Sequence, residues 1–326
     1  MEKYILHREN LEKFINSNAK KFQLIAPVKK DDIVVFEEIK DFSELTLDYI
    51  NTKFPLRKYF LPTPEEALRY RQISVTPIYD NTKRLIFGVR PCDVNALLHQ
   101  DQVLLDDEYI DPYFKKRREN NLIISLQCWR SGEDCFCTSM GTEKVEDGYD
   151  LLFTEIDAGY LVQVGSPKGQ KLIKSNSKLF KKTSKTAQIK LRCSKKLPKK
   201  DIGKLNEFEN FHSSVWETHA QRCLSCCACT TTCPTCKCFG IRDIINLDLK
   251  SGSRIREQQS CQLKVFTVVA GEHVFRDERD KRLKQRIMHK LNYHAITYGN
   301  QLCVGCGRCI TNCPTKIDMT EIVGEI

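Results

Sequence analysis

The chain has 326 residues, which at roughly 150 residues per domain is enough for two domains, each able to bury a core. Hydrophobic residues make up 41% and charged residues 29%, a globular composition that excludes a disordered chain or a coiled coil. The formal net charge of +10 admits nucleic acid or an acidic protein as a partner.

Residues 8–19 read as a short amphipathic helix with Leu11, Phe14 and Ile15 on one face. Strand-like runs follow at 24–28 and 33–36. Thr63-Pro64-Glu65-Glu66 has the grammar of a helix start: a Thr N-cap, Pro at N1 and Glu at N3. Residues 84–89 form an apolar run expected to be a buried strand, and a helical stretch begins at Asp93. A second buried strand is expected at 121–126. Residues 150–154 and 160–164 flank Asp157-Ala158-Gly159, the pattern of a hairpin. Alternating strands and helices predict an α/β domain over 1–180. Residues 165–205 are Lys- and Ser-rich with little periodicity and read as linker or loop, with a basic linker placed at 181–205. From 206 to 326 the chain is expected to be mainly α-helical; Leu283, Ile287 and Leu291 recur at four-residue steps, and Gly299 is a helix end. The longest apolar runs, such as 122–126 and 265–270, fall well short of the roughly 18 residues a membrane span needs. The start, MEKYILHREN, lacks the apolar segment of a secretion signal, so the expected location is the cytoplasm.

The seventeen cysteines are too few for a disulfide scaffold, which runs above about 8–10% Cys. Their number is odd, so complete internal pairing is impossible. In a reducing compartment such cysteines hold metal or do redox chemistry more often than they form bridges. Two stretches carry the chemistry. One is Cys223-Leu-Ser-Cys226-Cys-Ala-Cys229-Thr-Thr-Thr-Cys233-Pro234, and the other is Cys303-Val-Gly-Cys306-Gly-Arg-Cys309-Ile-Thr-Asn-Cys313-Pro314. Both follow C-x2-C-x2-C-x3-C-P, the spacing of bacterial two-cluster ferredoxins, in which the fourth cysteine ligates the other cluster. Three thiolates on a tight loop reach three corners of one cube. Cluster A is therefore assigned Cys223, Cys226, Cys229 and Cys313, and cluster B Cys303, Cys306, Cys309 and Cys233. A zinc ribbon needs only two C-x2-C pairs and would leave Cys229, Cys233, Cys309 and Cys313 unused. The long segment between the motifs, with its helical pattern, suggests a helical dicluster domain rather than a compact ferredoxin.

Cys92, Cys128, Cys135 and Cys137 lie in the α/β region, after its expected strands. In a parallel sheet those loops share the carboxyl edge, where ligands bind. Three readings stay open for the four: a third 4Fe-4S cluster, ordinary buried thiols, or a disulfide or zinc site. Cys227, Cys236, Cys238 and Cys261 are expected to pack beside a cluster, and Cys193 to be incidental.

Other signals are negative. Neither a G-x-G-x-x-G nor a Walker loop occurs, so no nucleotide site is readable from motifs. C-x-x-C-H and H-E-x-x-H are absent too. Residues 181–200 carry nine basic residues and no acid, a pattern expected of a solvated loop. Aromatics are not interleaved there, which speaks against single-strand nucleic-acid stacking. Helix 276–290 is read as core-facing first and as a binding surface second. Three functions compete: an electron-transfer subunit, a thiol-based redox enzyme using Cys92 and the CFC pair, and a nucleic-acid-binding protein with structural clusters.

The stretches FGVRPCDVNALL (87–98), CFCTSMGT (135–142), RCLSCCACTTTCPTCKCF (222–239), VVAGEHVF (268–275), RLKQRIMHK (282–290) and CVGCGRCITNCP (303–314) together carry a resemblance. The chain resembles the iron–sulfur beta subunit of cytoplasmic multisubunit nickel–iron hydrogenases (sulfhydrogenases) and the related A subunit of anaerobic sulfite reductase. The resemblance spans nearly the whole chain. It implies an anaerobic electron-transfer subunit that links a flavin- and NAD(P)-binding partner to a catalytic oxidoreductase subunit; from the residues themselves, no nucleic-acid partner and no membrane span are expected. Two positions depart from the family pattern. Cys227 stands where Gly usually follows the second cysteine of the first motif, and Gln258-Gln259-Ser260 stands where Trp-Asp usually precedes the cysteine at 261.

Overall fold

A computed structural model describes residues 2–62, 64–106 and 108–326. Twelve strands are named in chain order: β1 (Lys3–His7), β2 (Gln23–Lys30), β3 (Ile33–Glu38), β4 (Glu65–Arg71), β5 (Ser74–Pro77), β6 (Arg84–Val89), β7 (Asn121–Leu126), β8 (Leu151–Ile156), β9 (Gly159–Val164), β10 (Phe180–Lys182), β11 (Phe239–Ile245) and β12 (Ser251–Gln258). They make an eight-stranded sheet, β10-β1-β9-β8-β7-β6-β2-β3, and a four-stranded sheet, β11-β12-β4-β5. β2, β6, β7 and β8 run parallel at the centre of the large sheet. Antiparallel strands complete it on both sides.

The parallel strands are apolar because both sheet faces are covered. Leu24, Leu85 and Ile124 point into one core with the Leu11–Ala19 helix, and Ile25, Ile86 and Ile123 point into the other with the Pro91–Leu104 helix. Side chains alternate across a strand, so these adjacent pairs divide between the faces. The helices Pro91–Leu104 and Pro112–Asn120 form the crossover from β6 to β7. The 157–159 hairpin is present between β8 and β9. Gly159, with φ +133°, passes so close to β1 that a Cβ there would stand 2.4 Å from the Leu6 carbonyl oxygen.

The structure corrects three expectations. Glu65 and Glu66 belong to β4, not to a helix; Thr63 lies outside the described residues. At the start of β4 Glu65 and Ala67 share one buried face with the half-buried Glu66 between them, the two-residue period of a strand. Glu65 is held inward by ion pairs to Arg117 and Arg256. Second, the region after 206 is not helical throughout. β11 and β12 arise from the segment between the cysteine motifs, and β12 pairs with β4. Third, 165–205 is more ordered than a linker. Pro167–Ser175 is a helix capped by Ser166, and Leu197 is buried in the C-terminal core. The basic residues of 183–196 are largely exposed, as a solvated loop requires, although Lys195 pairs with the buried Asp318.

The C-terminal core gathers Trp216, Leu283, Ile287, Leu291, Ile310 and Ile322. The expected four-residue stripe lies on the Arg279–Met288 helix and on the π-helical turn His289–Tyr293 that continues it. Gly299, in the left-handed region, ends this helical run. Phe136, from the loop after β7, packs into the same core, so the α/β part and the cysteine-rich part share a buried boundary. Among the described residues, no helix is long and apolar enough to cross a membrane.

Candidate metal centres

The two cysteine motifs fold alike, residue for residue. Ser225 and Cys227 have φ of +52° and +66°, and their counterparts Gly305 and Gly307 have +61° and +75°. These left-handed turns curl each loop so that the Ser225 N–H donates to Cys223 Sγ at 3.4 Å and the Gly305 N–H to Cys303 Sγ at 3.5 Å. One-turn helices follow, Ala228–Thr231 and Arg308–Thr311. The outlying cysteines match too: Cys233 Sγ meets Thr235 Oγ1 at 3.4 Å and Cys313 Sγ meets Thr315 Oγ1 at 3.5 Å.

The loops differ where their surroundings differ. A Cβ on Gly305 would stand 2.7 Å from Cys137 Cα, and one on Gly307 would stand 2.5 Å from the Asp134 carbonyl oxygen. Glycine is required in the second motif by both φ and close approach. The first motif is not so pressed by the 134–137 segment, and Ser225 and Cys227 accept the unfavourable φ there.

Cys223, Cys226, Cys229 and Cys313 line one cavity, together with Cys227 and with Cys309 of the second motif, closed by Leu283, Ile287, Ile317 and Met319. The outlying cysteine of the second motif thus reaches the three clustered cysteines of the first. Cys303, Cys306, Cys309 and Cys233 form a second group within electrostatic reach of one another. All-thiol donors with apolar walls fit an iron–sulfur cube.

Burial pushes the Cys229 and Cys303 thiols up to about 12, and raises Cys306 and Cys309 as well. Such thiols surrender their protons only to a metal, whose binding drives ligand deprotonation. The outlying pair behaves otherwise. A hydrogen bond from Cys236 holds Cys233 well below its ordinary value against the burial, with Lys290 and Arg286 adding to it. Burial acts upward on Cys313 as well, but the Thr315 hydroxyl and the Ile317 N–H bring it below its ordinary value.

Two buried cations stand between the groups. The Arg286 Nη2 donates to the Cys229 carbonyl at 3.2 Å, and Lys290 Nζ donates to Thr235 Oγ1 at 2.7 Å. They sit one helical turn apart and are 5% and 3% exposed. Neither is among the salt bridges formed by the described residues. A buried charge without a counter-ion is costly, and a thiolate-ligated cluster supplies the missing negative charge.

The second motif is fastened to the α/β domain. Arg308 makes a bidentate pair with Asp93 at 2.7 Å for both bonds, and its Nε donates to the Thr52 carbonyl at 2.8 Å. Asn51 Nδ2 donates to the Cys306 carbonyl at 2.7 Å, Thr142 Oγ1 to the Val304 carbonyl at 2.6 Å, and the Phe136 N–H to the Gly305 carbonyl at 2.8 Å.

Cys92, at the start of the helix after β6, packs against Val304 and Cys306. Cys128 follows β7, and Cys135 and Cys137 lie on the loop beyond it. Cys193 is not incidental: its Sγ lies 3.6 Å from Cys137 Sγ, and it is buried with Cys135 and Cys137. Its basic, aperiodic context hid it. Cys236 sits beside Cys233, and the Cys227 thiol turns back onto the Ser225 carbonyl at 3.5 Å. The sequence reading also missed Asn51, Arg90, Arg286, Lys290 and the Asp93–Arg308 pair. Arg90, Asp93, Arg286, Lys290 and Arg308 all lie in the stretches that carry the resemblance, but only Arg286 and Lys290 stood out singly, as charged residues beside the buried stripe of helix 276–290.

Comparison with known proteins agrees with this geometry. Residues 222–317 match a family described as a 4Fe-4S dicluster domain. The chain is similar to Sulfhydrogenase 2 subunit beta of Pyrococcus furiosus, 32% identical over 332 residues that cover 98% of this chain and 97% of the relative. No solved structure matches it. Identity at that level over the whole length, joined to the paired motifs, shows that the chain belongs to the sulfhydrogenase beta-subunit family of iron–sulfur proteins.

Proposed function

We propose that the chain relays single electrons between a flavin- and NAD(P)-binding partner and a catalytic subunit of a hydrogenase- or sulfite/sulfur-reductase-type complex in the cytoplasm. Cluster A is held by Cys223, Cys226, Cys229 and Cys313, and cluster B by Cys303, Cys306, Cys309 and Cys233. The observation that carries this reading is the replicated loop. Two copies of one backbone conformation each present three thiols, and the crossed cysteine completes one set in a single cavity. Four thiols per set fill a cube's donor positions and leave none for a substrate. Bound there, each cluster supplies reversible one-electron storage at a potential set by charge, hydrogen bonds and burial.

The protein's own part is to exclude water, to place N–H and hydroxyl donors on sulfur, and to set Arg286 and Lys290 between the two groups. The second motif's docking on the α/β domain joins that domain to the relay. Burial argues against thiol catalysis, since Cys92, Cys135 and Cys137 are each 7% exposed.

The test is anaerobic and optical. The matured chain bleaches in the visible with dithionite, and with NAD(P)H only once its flavoprotein partner is added. Turnover of a small substrate by the isolated chain with an artificial donor, lost in Cys135→Ser, would overturn this reading in favour of a thiol enzyme.

A further inference from the structure

The loops after β6 and β7 carry thiols that the two ferredoxin sets do not use. Asn51 links two of them, its Nδ2 lying 3.7 Å from Cys135 Sγ and its Oδ1 4.0 Å from Cys92 Sγ. Cys128 lies within electrostatic reach of Cys92, Cys135 and Cys137. Four thiols from the two segments that follow β6 and β7 therefore converge at the carboxyl edge of the parallel strands, against the back of the Cys303–Cys309 loop. Among the described residues no group of three or more metal-ligating side chains closes around a single ion. The eight ferredoxin cysteines share that property, because a cube spreads its thiolates wider than one ion does.

A second observation is a charge. Arg90 is 2% exposed. Its guanidinium lies 3.9 Å from the Tyr49 ring centroid and donates to the carbonyls of Tyr49, Leu126 and Gln127. Its Nε has no partner, and Arg90 forms no salt bridge among the described residues. It is the first cation acting on Cys128. The neighbouring pair, Asp93 with Arg308, neutralises itself. One positive charge is left buried beside Cys128, and such a charge requires an anion.

We infer that Cys92, Cys128, Cys135 and Cys137 hold a third iron–sulfur cluster on the cluster B side of the chain, with Arg90 as its counter-charge and Cys193 as a hydrogen-bonding neighbour of Cys137. Cys193 is not a fifth candidate ligand of equal standing. A thiol pair at 3.6 Å is closer than two corner thiolates of one cube can be, so only one of the two takes a corner. Both reach Cys135, and Cys137 reaches Cys128 as well. Cys193 closes the site from the basic segment. The third centre extends the order of sites to A, B, then the α/β domain, whose carboxyl edge becomes a terminus of the relay.

The experiment is iron and acid-labile sulfide per chain on the anaerobically matured full-length protein, with EPR after reduction. About twelve iron are expected in the parent chain, three cubes at four iron each. Cys128→Ser is expected to lower this to about eight while keeping the signals of both ferredoxin-type clusters, which also shows that the variant folds. Cys193→Ser is expected to keep about twelve and to alter the third signal. About eight iron in the parent chain overturns the inference, as does Cys128→Ser retaining twelve, or iron lost from Cys193→Ser but not from Cys92→Ser. Failure of the two-cluster reading is separable: there Cys223→Ser leaves the iron count unchanged, whereas otherwise it removes about four.

Discussion

Gly305→Ala and Ser225→Gly perturb the same position of the two motifs and are expected to act differently. At Gly305 the φ of +61° costs any L-residue about 1–2 kcal/mol. The new methyl would also stand 2.7 Å from the Cys137 Cα and N and from the Phe136 carbonyl carbon. These are backbone atoms tied to the same loop by the Phe136 N–H bond to the Gly305 carbonyl, so they cannot rotate away. Overpacking of that kind costs about 1–3 kcal/mol more. The total, roughly 2–5 kcal/mol, falls on the contact between cluster B's loop and the Cys135–Cys137 segment. Ser225→Gly relieves a comparable φ of +52° but adds glycine's unfolded-state entropy, about 0.5–1 kcal/mol, and should come out near neutral. Thermal unfolding of the matured proteins, with the rate of iron loss to a chelator, reads both. Gly305→Ala should lower the melting temperature by several degrees and release iron from the second motif first; Ser225→Gly should do neither. Equal behaviour of the two variants would refute the close-approach argument.

Asp93→Ala strands the Arg308 guanidinium in a site where it is 2% exposed; breaking a buried pair this way costs about 3–5 kcal/mol, and Asp93→Ala with Arg308→Met should recover part of it in denaturant unfolding. A double variant as unstable as the single one would contradict the pairing argument. Arg286→Met removes a positive charge beside Cys229 and Cys309, so the midpoint potential should fall with iron content unchanged. A tenfold drop in the reduced-to-oxidised ratio at fixed poise corresponds to about 59 mV for one electron, and an unmoved potential would exclude the charge role. Burial holds His289 and His294 down to about 4, below the unfolded value near 6.5. The unfolded chain therefore binds their protons first as pH falls. Their stability contribution is present above about pH 6.5 and is lost on the way to about 4, roughly 1 kcal/mol each by pH 5.5. Unfolding at pH 7.5 and 5.5 should show a smaller drop in a His289→Gln, His294→Gln variant than in the parent; an equal drop in both would contradict the assignment.

The parallel strands and both cysteine motifs were legible because their signals are local. Continuous apolar runs at 84–89 and 121–126 match β6 and β7, and ligand spacing is written in consecutive residues. What escaped depends on distant pairing. β4 looked like a helix start because Pro64 before it and its Glu residues obey capping grammar, while one of its partners, β12, lies nearly two hundred residues on. β1 and β10 are short and pair only through tertiary contact. Cys193 gave no motif at all, and Arg90 lay in a stretch read only for its resemblance and its cysteine. Their meaning is set by what surrounds them, an arginine with no acid beside Cys128 and a thiol against Cys137, and neither neighbour is near in sequence.

The proposed relay requires crossed sharing of cysteines between two clusters. The measurement is the low-temperature EPR spectrum of the fully reduced, anaerobically matured chain beside that of Cys313→Ser. The parent should give a broadened spectrum from magnetically coupled 4Fe-4S clusters. In Cys313→Ser the cluster of the first motif should be lost or converted, and the signal of the second should simplify. Loss of the second motif's signal instead, or zinc without acid-labile sulfide in the parent, would contradict it.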